Sequence, residues 1–157
     1  MLAALVVIFV VVGDQLTKAW ITTHFVLYES REVLPGLFSL TYLTNKGAAF
    51  GFLNGEYGSW RHGFFVGVAL VAMVMMILFL RQAQKEGKWS VLAIALIFGG
   101  AAGNLIDRLR LGSVVDFLDF YWAGHHWPAF NVADSAITVG VLIFLVVNFW
   151  RARCGKQ

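Results

Sequence analysis

Four stretches of about twenty mostly apolar residues recur along this chain, and they limit its fold more than any other feature. A helix needs about 17–25 such residues to cross the hydrocarbon core of a bilayer. The stretches fall at about residues 2–22, 62–80, 89–107 and 131–150. Of the 157 residues, 59% are hydrophobic and 13% charged, against about 45–50% and about 25% in soluble domains. One small core cannot hide so much apolar surface, so residues 1–157 are expected to form a single integral membrane domain. A soluble enzyme and a disordered chain are excluded. So is a disulfide scaffold, because Cys154 is the one cysteine. Residues 2–12 have the length of a signal-peptide core but lack a basic n-region and a small-residue cleavage site, so they are expected to remain as the first span. The chain enters that span abruptly, and a few cytoplasmic residues are expected ahead of it.

Basic residues orient the spans. Arg81, Lys85 and Lys88 lie between the second and third, and Arg151, Arg153 and Lys156 follow the fourth. The two longer connections, at about 23–61 and 108–130, carry mixed charge. The positive-inside bias therefore predicts cytoplasmic termini and two outer loops. The same bias accounts for the net charge of +3 without a nucleic-acid partner. Trp20, Trp60, Trp89, Trp122, Trp127 and Trp150 all fall at span ends or just beyond, where amphipathic rings favour the interface. Within the outer loops, Phe38 to Thr44 and Val114 to Trp122 are rich in aromatic and β-branched residues and read as strands. A short interfacial helix is expected near 54–61.

The polar residues of the spans converge on one depth. At a rise of about 1.5 Å per residue, Asp14 lies about 18 Å from the inner end of the first span, and Asp107 about 27 Å beyond Trp89. Asp134 is only about 5 Å inside the fourth span. Asp116 follows nine residues after Asp107. Asn131, Asp134, Ser135 and Thr138 share one helical face, and Asn104 and Asp107 share another with Gly100 and Gly103. Such stripes must face the bundle interior, since lipid offers no hydrogen-bond partner. Gly99-x-x-x-Gly103 would let a neighbouring helix approach closely.

Read plainly, Asp14 and Lys18 form an i,i+4 ion pair, and Asp107 joins a network with Arg108 and Arg110. Asn104 bridges helices, Asp119 is a solvated loop charge, and His125 and His126 sit in an interfacial loop. Asp116 and Asp134 have no obvious cationic partner and are the costliest to leave unexplained. The sequence holds no metal motif and no Gly-x-Ser-x-Gly elbow. It also lacks the Gly-x-Gly-Asp of presenilin-type proteases and any phosphate-binding loop. What remains is a pair of aspartates able to share a proton and activate water. The rival reading is a small transporter or proton relay, which predicts acids spread across the bilayer.

Five blocks resemble lipoprotein signal peptidase (signal peptidase II): Asp14-Gln15-Leu16-Thr17-Lys18, Asn45-Lys46-Gly47-Ala48-Ala49-Phe50, Gly99 to Arg108, Val114-Val115-Asp116-Phe117, and Phe130-Asn131-Val132-Ala133-Asp134-Ser135. They occur in family order across roughly residues 13–140. The resemblance implies a bacterial inner-membrane aspartic endopeptidase whose active site faces the outer leaflet, and a monomer is expected. It would remove the signal peptide of prolipoproteins just before their diacylglyceryl cysteine, without cofactor or metal. Globomycin-type cyclic peptides are its expected inhibitors. Asp116 and Asp134 match the family's catalytic dyad. Asn45, Gly47, Asn104, Arg108, Asn131 and Ala133 match positions that bind substrate or support the dyad, and Asp14, Lys18 and Asp107 match structural polar positions. The implied fold is an all-α membrane protein of four spans with a small extracytoplasmic β-cradle. Lys46 departs from the small polar residue usual in the family.

Overall fold

The structure, a computed structural model, describes residues 1–46 and 59–154. Its elements in chain order are α1 (Leu2–His24), β1 (Ser30–Leu34), β2 (Phe38–Asn45), α2 (Ser59–Glu86), α3 (Lys88–Leu111), β3 (Val114–Trp122), β4 (His125–His126) and α4 (Val132–Cys154). All four helices are long and apolar enough to cross a membrane. Much of their surface is bare hydrocarbon, with Leu5, Phe9 and Leu16 of α1, Val71 and Leu78 of α2, and Leu142, Leu145 and Phe149 of α4 exposed.

Helix α3 is the hub, packing against α1, α2 and α4. Small residues make this possible. A Cβ on Gly99 would sit 2.9 Å from Val10 Cβ of α1, and one on Gly103 would sit 2.6 Å from Asp14 Oδ2. A Cβ on Gly100 would collide with Ala133 O of α4. The close approach expected of Gly99-x-x-x-Gly103 is therefore present, and it serves two neighbours. Gly140 of α4 returns the contact, 2.8 Å from Ala93 O at its ideal Cβ.

The helices outrun the apolar windows. Arg81 to Glu86 continue α2, leaving only Gly87, at φ 115°, between α2 and α3. The sequence reading placed these residues in a loop because charge ends a hydropathy window. Charge does not end a helix, and Lys85 in the last turn complements the helix dipole. Arg151 of α4 closes this basic end by pairing with Glu86, Nη1 to Oε2 at 2.6 Å.

At the opposite end, where α1 and α3 finish and α4 begins, the four strands form an antiparallel sheet in the order β1-β2-β3-β4. Gly112, in the left-handed region at φ 71°, donates its N–H to Arg108 O and turns the chain from α3 into β3. Ile21 of α1, Phe25 just after it, and Val115 and Phe117 of β3 form the core that seats the sheet. Both expected strands exist. The sequence reading did not include β1 and β4.

Two expectations are corrected. Asp119 is a buried strand residue, not a solvated loop charge, and accepts from His126 Nδ1 at 2.9 Å and Thr41 Oγ1 at 3.4 Å. His125 and His126 pair with Trp122 and Tyr121 as a short strand, so the hairpin brings His126 onto Asp119. The interfacial helix expected near 54–61 falls largely outside the described residues, and Ser59 and Trp60 open α2.

The glycine contacts carry a prediction. Gly100→Ala should force α3 and α4 apart and destabilise the fold by about 1–3 kcal/mol. Gly67→Ala, whose Cβ meets nothing within 4 Å, should not. Thermal unfolding of the two variants in detergent measures the difference.

Candidate active site

Two helices bring charge to the same place. Lys18 Nζ lies 2.9 Å from Asp14 Oδ2, one turn back on α1, and 2.9 Å from Asp107 Oδ2 on α3. Their side chains are 0–4% exposed. A buried charge is tolerable only when its remaining hydrogen-bonding capacity is met. Here it is. Asp14 Oδ1 accepts the Ala133 N–H at 2.9 Å, and Asp107 Oδ2 accepts the Val115 N–H at 3.1 Å. Gln15 Nε2 donates to Asp14 Oδ2 at 3.2 Å and to Asp107 Oδ1 at 2.9 Å. The third proton of the ammonium goes to Asn104 Oδ1 at 3.0 Å.

The i,i+4 pair expected of Asp14 and Lys18 is present. Asp107 takes Lys18 as its ion-pair partner, and Arg108 acts on it only through space. Adjacent helix positions diverge by about 100°, so Arg108 points elsewhere. Arg110 reaches Gln15 Oε1 at 3.4 Å.

Asp134 owes its place to a helix start. Asn131, fully buried, precedes α4, and its Oδ1 accepts the Asp134 N–H at 2.9 Å. Asp134 Oδ2 in return accepts the Asn131 N–H at 3.3 Å. This reciprocal capping box uses Asn and Asp where Ser or Thr and Glu are usual. Asp134 Oδ1 accepts from Asn104 Nδ2 at 2.8 Å. Asp116 arrives from β3, with Oδ1 accepting from Asn131 Nδ2 at 2.8 Å. That same amide donates to Val115 O at 3.1 Å and Asn104 Oδ1 at 3.2 Å. Asn131 thus touches both carboxyl groups.

Asn45, at the end of β2, also hydrogen-bonds Asp116. Arg108 is half-buried and exerts its charge on Asp134, Asp116 and Asp107. Ala133 is fully buried against Gly100 and Gly103, so its role is close packing and the N–H given to Asp14. Gly47 lies outside the described residues. Among those described, no cluster of His, Cys, Asp and Glu could hold a metal ion.

Burial pushes the Asp116 carboxyl up to about 7, and the nearby Asp134 charge adds to the rise. The bonds from Asn45 and Asn131 and the attraction of Lys18 oppose it.

Two site features escaped the sequence reading. Gln15 bridges the acids of the triad, although only its block was noted. The capping box was legible as Asn131-x-x-Asp134 ahead of an apolar run, but the two residues were taken only as members of one helical face.

Residues 6–150 match the family model described as Signal peptidase (SPase) II. A lipoprotein signal peptidase of Geobacter metallireducens is 53% identical over 130 residues, 83% of this chain and 79% of that protein. One of Shewanella halifaxensis is 50% identical over 153 residues, 97% and 88% of the two chains. A solved bacterial membrane enzyme superposes with a TM-score of 0.84 at 35% identity, covering 96% of this chain and 88% of its own.

Asn131→Ala should cost about 2–4 kcal/mol. Roughly 1 kcal/mol comes from the lost cap, and the remainder from buried acceptors left without a donor. Asn131→Ser keeps an uncharged oxygen to cap α4 and should unfold at a higher temperature than Asn131→Ala, as circular dichroism melting would show.

Proposed function

The chain belongs to the signal peptidase II family, and from that premise we propose that it removes the signal peptide from lipidated prolipoproteins with Asp116 and Asp134 as an aspartic dyad. The observation that carries the reading is the bridging of both carboxyl groups by Asn131, which holds them at one spot with different partners. Asp134 accepts N–H donors on both oxygens. Asp116, raised to about 7, is about half protonated at neutral pH and is the member of the pair that supplies the proton.

In this mechanism Asp134 takes a proton from the attacking water. Asp116 gives its proton to the scissile carbonyl oxygen as the tetrahedral intermediate forms. Collapse then expels the amine, which takes up a proton from the dyad. Water is the nucleophile, so no acyl-enzyme forms.

The substrate class follows from family and depth together. The dyad lies at the sheet end of the bundle, with Asp134 in the first turn of α4 and Asp116 on β3. A diacylglyceryl cysteine anchored in the outer leaflet would present its preceding peptide bond at that depth. Cleavage before that cysteine, cytoplasmic termini, residence in the bacterial inner membrane, action as a monomer and inhibition by globomycin-type cyclic peptides belong to the same reading. Clustering of the span acids at one end favours hydrolysis over a transporter or proton relay, which would distribute them along the path.

Asp116→Asn and Asp134→Asn should each fold and insert yet lose essentially all cleavage of a lipidated prolipoprotein. The double variant should be little worse than either single one. Cleavage by either asparagine variant at a substantial rate would refute the dyad. The wild-type rate should fall as pH rises through about 7, because Asp116 then loses the proton it must donate. A pH–rate profile that stays flat to well above 7 would contradict that assignment.

A further inference from the structure

We propose that Lys18, beyond neutralising its acidic neighbours, is a positioning residue for the reaction: its ammonium orients the Asn104 carboxamide so that the amide hydrogens point at Asp134. The inference rests on the reading of Asp116 and Asp134 as the dyad.

The geometry is directional. Lys18 has three N–H donors and no acceptor. Two point at Asp14 and Asp107, and the third at Asn104 Oδ1 at 3.0 Å. Because an ammonium can only donate, the group facing it must be the oxygen of the Asn104 amide. The nitrogen is then committed to the other side, where Nδ2 reaches Asp134 Oδ1 at 2.8 Å. Asn131 Nδ2 supports the same orientation through its 3.2 Å bond to Asn104 Oδ1. A flipped amide would set NH2 against NH3⁺ and oxygen against carboxylate.

The two carboxylates on Lys18 fix where its third proton points. Asp14 is held by the Ala133 N–H of α4, and Asp107 by the Val115 N–H of β3. Each is therefore anchored to the backbone one residue from a member of the dyad. Lys18 also acts on Asp116 through space, and the charged groups around that carboxyl are Lys18 of α1, Arg108 of α3 and Asp134 of α4.

The test compares Lys18→Met with the charge-balanced pair Lys18→Met/Asp107→Asn, both assayed on a lipidated prolipoprotein and normalised to folded protein. Expected is a fall in kcat of about 10–100-fold with KM unchanged in both. In Lys18→Met the alkaline limb of the pH–rate profile should also move upward by about half a unit or more, since an attractive charge on Asp116 is gone. Adding Asn104→Ala to Lys18→Met should slow turnover no further than Asn104→Ala alone, because both act through one amide.

Wild-type turnover per folded molecule with an unmoved limb would overturn the inference, as would fully additive losses. Failure of both lysine variants to fold would also overturn it, by assigning Lys18 to assembly alone. Asp116→Asn and Asp134→Asn run alongside separate the two readings. If they cleave, the dyad itself is wrong. If they are inactive while the lysine variants turn over normally, only the role given to Lys18 fails.

Discussion

The Lys18 ammonium sits 2.9 Å from each of two carboxylates, on α1 and α3, almost entirely out of solvent. Removing such ions from water costs several kcal/mol apiece, and only good geometry with every remaining donor and acceptor engaged offsets it. That requirement ties four elements together. Asp14 must find the Ala133 N–H at the start of α4, and Asp107 must find the Val115 N–H of β3. The charge cluster is therefore a joint, and the relative placement of α1, α3, α4 and the sheet depends on it.

Small residues let the joint close. Asp14 can reach α4 only because Gly103 leaves room for its carboxylate and Gly100 lets the Ala133 carbonyl approach. Ala133, fully buried, has no space for a larger side chain. Packing and electrostatics are here one constraint, since a methyl group on α3 would move the acceptor away from its donor. Lipid supplies no hydrophobic drive to pull the helices together, so close approach and satisfied polar groups must do so.

The same economy shapes the pair of aspartates, Asp116 and Asp134. Asn131 ends the loop, caps α4, and gives its amide to Asp116, so the fold of a helix terminus and the placement of two acids are one event. Asp116, on a strand buried on both faces around it, is pushed toward the neutral acid by burial and by its neighbour. Asp134 receives donors on both oxygens. The asymmetry between two identical side chains comes wholly from what surrounds them.

Much of this was legible in the chain itself. The four spans follow from length and apolarity, because a bilayer sets a length that local sequence must meet. Strands β2 and β3 follow from runs of aromatic and β-branched residues, and the i,i+4 pair of Asp14 and Lys18 from helical spacing alone. Family blocks singled out Asp116 and Asp134. Partnerships across elements were not legible. Asp107 turned to Lys18, 89 positions away, and not to its neighbours Arg108 and Arg110, because helix geometry aims adjacent side chains apart. Asp119 became a buried partner of His126 because a hairpin folded over it. The sequence by itself determined which segments enter the membrane and which polar residues must leave lipid, since both are local balances of hydration. Only the tertiary structure decided which donor meets which acceptor, since each bond depends on how three helices and a sheet approach one another.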